Sequence, residues 1–280
     1  MNIIVAAGNK DKGKTRKIMR KFGFKVFSTN LQRAPELIKE CARFAAEQND
    51  MFIELMVSTE SSIDDFCEIK RQVGDVKVRI HIPHRTMGFD AANRDWEKEN
   101  RRTFAHSQRA ADIFNAETMV VHAGCGRGQK YLEENVRQFK LFNDKRIVVE
   151  NLLYSGEDGI ARLGNTAEEI AYIMRESGCG FCFDFSHAIC AALSLNTDIE
   201  EQLRSFYALK PTVYHLCDGD ITRAKDLHLH FGQGNFPLKH YLRDYTAENA
   251  YITMETGEFT QHNDLWIKDY HYLKSLLAED

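Results

Sequence analysis

Short runs of apolar and β-branched residues return along the chain: 25–30 (KVFSTN), 51–57, 78–83, 118–124, 147–152, 180–187, 212–218 and 250–256. Each run is nearly continuous in apolar residues, the pattern of strands buried on both faces. Between them the apolar positions fall at helical spacing. Leu37, Cys41, Phe44 and Ala45 share one face of 35–48, and Phe104, Ala111 and Phe114 share one of 96–114. The segment 166–178 opens with a Thr166-to-Glu169 capping box and closes on glycine. A last helix is predicted over 264–277. Strand and helix in alternation signal parallel βαβ units. Eight such units predict one closed (β/α)₈ TIM barrel over residues 24–280. A doubly wound open sheet is the competitor, but it gathers polar residues at one switch point, whereas here they follow many strands.

Composition places the chain among ordinary soluble globular proteins: 280 residues, 43% hydrophobic, 28% charged, net charge −4. No apolar run has the length of a membrane span. The opening residues lack the basic-then-apolar order of a secretory signal, so the expected compartment is the cytoplasm and no membrane partner is expected. Seven cysteines at irregular spacing read as packed thiols, and the lone C-x-x-C of Cys179 and Cys182 reads the same way. Residues 1–23 fall outside the eight units as a basic N-terminal extension. Lys10, Lys12, Lys14, Arg16, Lys17, Arg20, Lys21 and Lys25 face a single acid, Asp11. That segment is either a solvated helix face or a phosphate-facing patch.

The candidate chemistry lies at the strand ends: His84, His122, Glu150, Asp184, His187, His215, Asp226, His228 and Glu255. Barrel strands point their carboxyl ends at one mouth, so these groups converge there. Buried carboxylates and imidazoles need partners, and cations are the simplest partner for a set made only of His, Asp and Glu. One divalent ion takes about four to six ligands, so nine imply two or three ions. Four carboxylates bring about −4 and three divalent ions about +6, a pocket suited to phosphate. Glu54, at mid-strand, is expected to pair with a lysine or arginine inside the barrel. His81, His106, His230, His240, His262 and His271 read as surface or core residues.

These marks resemble endonuclease IV, within the xylose isomerase-like barrel superfamily. They are PH at 83–84, VVH at 120–122, EN at 150–151, D-x-x-H at 184–187, H-L-x-D at 215–218, D-x-H at 226–228 with GQGN at 232–235, and E-T at 255–256. The resemblance implies a trinuclear zinc centre. His84, His122 and Glu150 would hold the first ion, and Glu150 would bridge to a second held by Asp184, His215 and Glu255. His187, Asp226 and His228 would hold the third. Mn²⁺ is the alternative ion. The family's GxH-type first strand is absent, and Arg85, Thr86, Met87 and Gly88 follow His84 in place of its bulky residues.

Two glycine-containing loops are expected to bind phosphate. In 122–130, Arg127 and Lys130 are the charged donors. In 231–235, Gly232, Gly234 and Asn235 would offer backbone N–H groups. The expected activity is metal-dependent phosphoester hydrolysis on damaged DNA or another phosphorylated substrate. The alternative is a single-ion sugar or sugar-phosphate isomerase or epimerase using Glu150, Asp184, His215 and Glu255, in which Glu150 and Glu255 move the proton.

Overall fold

The computed structural model describes residues 20–156, 158–257 and 265–278. Eight parallel strands close into one barrel in chain order. They are β1 (Lys21–Phe27), β2 (Met51–Met56), β3 (Val78–His81), β4 (Met119–His122), β5 (Ile147–Glu150), β6 (Gly180–Asp184), β7 (Val213–Leu216) and β8 (Tyr251–Met254). Helices on the outside connect them, among them Pro35–Glu47, Ile63–Val73, Glu97–Phe114, Gln129–Phe142, Ala167–Ser177, Phe185–Leu195 and Leu265–Ala278. This is the predicted (β/α)₈ architecture.

The first strand runs four residues earlier than its apolar run suggested. Lys21, Gly23 and Lys25 interrupt the run, yet Phe22, Phe24 and Val26 alternate onto the helix-facing core. Gly23 is required by its neighbour, because a Cβ there would overlap the Phe52 ring. Residues 21–23 therefore belong to the barrel. The basic extension is otherwise outside the described residues, apart from Arg20, whose Nε donates to Thr246 Oγ1 at 2.7 Å. Lys25 is neither a helix-face nor a patch residue: it is buried.

The main core lies between strands and helices, with a second small cluster inside the barrel: Val120, Val148, Cys182 and Val213. Cys182 is thus a packed thiol. The helix Ala167–Ser177 takes its expected cap from Thr166, which accepts from Glu169 N at 3.4 Å. The box is not reciprocal, because Glu169 Oε2 accepts instead from Gly164 N at 2.7 Å. Among the described residues, no helix is long and apolar enough to cross a membrane.

Candidate metal centre

Polar residues begin where the strands stop. His81, His122, Glu150 and Asp184 are the last residues of β3 to β6, His215 is next to last in β7, and Glu255 directly follows β8. Ladder register sets His122 beside Glu150 and Asp184 beside His215. The D-x-x-H spacing has a local cause. Asp184 caps the helix Phe185–Leu195, its Oδ1 accepting from His187 N at 2.7 Å. An N-cap and the third helical residue stand next to each other, so one turn presents both side chains. The following asparagine of the E-N pair is a staple. Asn151 Nδ2 donates to Asp184 O at 2.9 Å, and its Oδ1 accepts from Asp184 N at 2.8 Å.

Glu150 is the hub. Its Oε2 lies 3.2 Å from His81 Nε2 and 3.4 Å from His122 Nε2. Its Oε1 lies 3.3 Å from both His187 Nδ1 and His215 Nδ1. His187 Nε2 reaches Asp226 Oδ2 at 3.4 Å, and His228 Nε2 reaches the same oxygen at 2.9 Å. His215 Nδ1 is 2.8 Å from Glu255 Oε1, and its Nε2 is 3.1 Å from Glu54 Oε1. Eight of the nine expected ligands form this connected network.

The ninth, His84, stands beside the network at the recess. It stacks on His122 with centroids 5.2 Å apart, and its Nδ1 lies 3.1 Å from Thr86 Oγ1. His81, expected in the core or at the surface, is buried and lies beside Glu150. β3 ends at His81, and His84 follows it to line the recess. The signal was available: His81 shares the two-residue parity of Arg79 in β3, and both are buried.

The donor set fits divalent cations. His81 Nδ1 lies 2.8 Å from Ile82 O and His187 Nδ1 lies 2.9 Å from Asn151 O. Each ring therefore places its N–H on a carbonyl and turns Nε2, a lone pair in the neutral ring, toward a carboxylate oxygen. Two acceptors facing at that distance call for a cation or a shared proton. Burial pulls His84 down to about 4 and holds His122 well below the usual imidazole range, so both are neutral as ligands must be. Burial also pulls on His187 and His215, but the surrounding carboxylates outweigh it and raise both. Burial pushes Asp184 up to about 7, with His187 pulling the other way and Glu150, Asp226 and Glu255 adding repulsion. Three overlapping groups have ligand atoms within 4.8 Å of one another: His81, His122 and Glu150; Glu150, Asp184 and His187; and Glu54, His81, His215 and Glu255.

Lys25 and Glu54 complete the interior beneath this rim. They are register partners in β1 and β2, and Lys25 Nζ forms an ion pair with Glu255 Oε1. Burial works against the ammonium, but Glu255, Glu54 and Glu150 more than offset it and raise its pKa. The expected lysine near Glu54 is therefore present, although the closest contacts of Glu54 are His215 and Thr253, whose Oγ1 donates to Oε2 at 2.7 Å.

The two glycine-containing loops differ from each other. Gly232 N and Gly234 N donate to Asp218 Oδ2 at 2.9 and 3.0 Å. Gly219 N and Phe236 N donate to Asp218 Oδ1. Asn235 N donates to Gly219 O, and its Oδ1 accepts from Ile221 N. Of the amides expected to bind phosphate, those of Gly232 and Gly234 thus meet the buried Asp218 and that of Asn235 meets Gly219 O. Gly234 is glycine because a Cβ would strike Gly219 O.

The 122–130 loop does border the site. Gly124, Gly126 and Gly128 all have positive φ. The loop is clamped to 160–164 by Gly126 N→Ala161 O and Leu163 N→Gly124 O, each 2.9 Å. Arg127 is exposed and lies 3.8 Å from the Tyr154 ring. A recess of about 170 Å³ opens on the histidines, lined in part by His84, Arg85, His122, Arg162 and His187. It adjoins a groove of about 550 Å³ bordered by Arg85, Arg94 and Lys130. Asp90 anchors Arg85 between them, with Nη1 to Oδ2 at 2.6 Å.

A family model described as xylose isomerase-like TIM barrel matches residues 21–276. Endonuclease 4 of Thermus thermophilus is 24% identical over 217 residues, spanning 74% of this chain and 78% of that protein. The crystal structure of endonuclease IV from Thermus thermophilus superposes with a TM-score of 0.66 at 19% identity, covering 93% of this chain and 100% of that one. A D-tagatose 3-epimerase-like protein superposes with a TM-score of 0.63 at 19% identity, covering 91% and 97%. At such identities the structural likenesses speak to the fold alone.

Proposed function

The chain belongs to the xylose isomerase-like TIM barrel family, and from that premise we propose that it hydrolyses phosphoester bonds with two or three divalent cations, zinc first among them. The observation that carries the reading is the division of Glu150: one oxygen faces Nε2 of His81 and His122, the other Nδ1 of His215. A carboxylate whose oxygens face different imidazoles suits a bridge between two ions.

In this reading His81, His122 and Glu150, with His84 stacked on His122, would hold one ion. Glu150, Asp184, His187, Asp226 and His228 would supply the ligands around a second, with His215 and Glu255 beside them. When bound, such ions supply Lewis acidity toward phosphoryl oxygens and acidify water. The chain's own groups do the rest. Ile82 O and Asn151 O fix the imidazole tautomers. Glu150 is placed to accept a proton between the two sets. Arg85, held by Asp90, offers a cation to a phosphoryl oxygen in the recess, and Arg94 and Lys130 line the way for the rest of the substrate. That substrate is a nucleic acid such as damaged DNA or a phosphorylated metabolite.

The test pairs metal analysis of the purified protein with cleavage assays on an abasic-site oligonucleotide and a panel of phosphate monoesters. Two or three ions per chain and turnover of at least one phosphoester are expected. One ion per chain with no phosphoester turned over would sink the reading. It would favour the isomerase or epimerase alternative, which the contacts of His215 with Glu150, Asp184 and Glu255 support. Replacing His122 and His228 by alanine separates the two: a single-ion isomerase survives at least one change.

A further inference from the structure

We infer that the amino-terminal mouth of the barrel, opposite the metal centre, binds a small tetrahedral oxyanion of the phosphate or sulfate class between Lys21 and Lys77. The inference is independent of the hydrolase reading. Lys21 and Tyr251 open β1 and β8 as register partners, and Lys77 directly precedes β3. All three therefore stand where strands begin, at the other end of the barrel from Glu150 and its histidines.

Cations crowd one phenol here. The ammonium groups of Lys21 and Lys77 each lie 3.2 Å from Tyr251 Oη. An ammonium can only donate, so the phenol oxygen accepts from both. The guanidinium of Arg79 covers the same ring, its Cζ 3.6 Å from the centroid. Burial pushes the Tyr251 phenol up, yet the two ammonium groups outweigh it and hold it below the usual phenol range. Counter-charge is scarce. Glu117 pairs with Lys77, but its side chain is 63% exposed, and a pair so open to water offsets little. Among the described residues, neither Lys21 nor Arg79 has a carboxylate within ion-pair distance. Arg79 is buried; its Nη1 donates to Thr118 Oγ1 at 2.6 Å, and its Nε has no hydrogen-bond partner. Three cations thus converge on one phenol and one solvated carboxylate, and like charges this close repel unless an anion joins them. Lys21 and Lys77 are only half-buried, so their remaining N–H groups can reach a ligand from solvent. Two ammonium donors at one rim match the several acceptor oxygens of a tetrahedral oxyanion.

Thermal unfolding of the full-length protein as purified tests this, with sodium sulfate set against sodium chloride at matched ionic strength. Sulfate is the probe because phosphate would also meet a metal centre. Sulfate at about 10 mM is expected to raise the wild-type melting temperature by about 2–4 °C over chloride, the shift of a ligand held by the folded state alone. Any general exclusion of sulfate from the surface acts on every variant alike. The double variant Lys21→Gln, Lys77→Gln is expected to lose most of that gain. If it does not fold, Lys21→Gln alone is expected to lose the greater part. A gain of the same size in wild type and folded variant would place the anion elsewhere and overturn the inference. No gain in wild type would overturn it as well.

Discussion

The inside of this barrel has two unlike halves. From β4 to β7 the interior is an apolar layer of Val120, Val148, Cys182 and Val213, and charge appears only at the rim, at His122, Glu150, Asp184 and His215. From β8 through β3 the charge runs deep. Lys25, Glu54, Arg79 and Thr253 are buried along with His81, and Arg79 lies 3.6 Å over the Tyr251 ring. The first half separates roles: apolar residues carry the packing and strand ends carry the chemistry. In the second half the same side chains do both, because each buried charge is compensated only by its neighbours.

The largest expected effect comes from breaking the hub that both halves share. Glu150→Gln should cost at least one bound ion per chain and lower any phosphoesterase rate by more than about 100-fold. Elemental analysis and steady-state rates check this. Next, the pair bracketing Pro83 sharpens the boundary between the halves. His81→Ala should weaken zinc binding by about 100-fold or more, and His84→Ala by less than about 10-fold. Equal losses in competition titrations would mean that both residues ligate, and a larger loss from His84→Ala that His84 ligates in place of His81.

Stability then separates the two interiors directly. Glu54→Gln leaves Lys25 and His215 short of a counter-charge and should cost about 3 kcal/mol. Val148→Ala, in the apolar half, should cost about 1–2 kcal/mol and leave metal content unchanged. Urea denaturation measures both, and a larger loss from Val148→Ala would reverse the assignment of roles.

The smallest effect is the pH dependence of the metal-free protein. His187 and His215 are raised, so the stability they contribute is complete below about pH 6.5 and is lost as the pH rises through their folded values. Asp184, pushed up to about 7 from 3.8, keeps a proton in the fold that the unfolded chain releases, so its ionisation also favours unfolding as pH rises. Glu150, Asp226 and Glu255 are held low despite burial, and their contribution is lost only below about pH 4.5. The melting temperature of metal-free protein should therefore fall from about pH 6 toward about pH 9. Zinc-loaded protein should not follow it, because metal binding needs deprotonated ligands. A rising curve for metal-free protein would mean that the imidazoles are not the charged partners here.

The sequence by itself determined the barrel and the apolar half of its rim. Strands buried on both faces announce themselves as apolar runs, and in β4 to β7 a histidine or carboxylate at or next to the end of such a run is readable at once. Where charge enters the strand, as at Lys25, the run is interrupted and its register is misread by several residues. That His81 lies beside Glu150 while His84 stacks on His122 likewise waited on where β3 ends. Tertiary structure alone decided that the amides of Gly232 and Gly234 turn inward to Asp218, that Glu150 divides its oxygens between different imidazoles, and that Lys25 meets Glu255 across the β1–β8 seam. Periodicity reports which face of a strand is buried. It carries no record of which buried charges, distant in the chain, neutralise one another when the barrel closes.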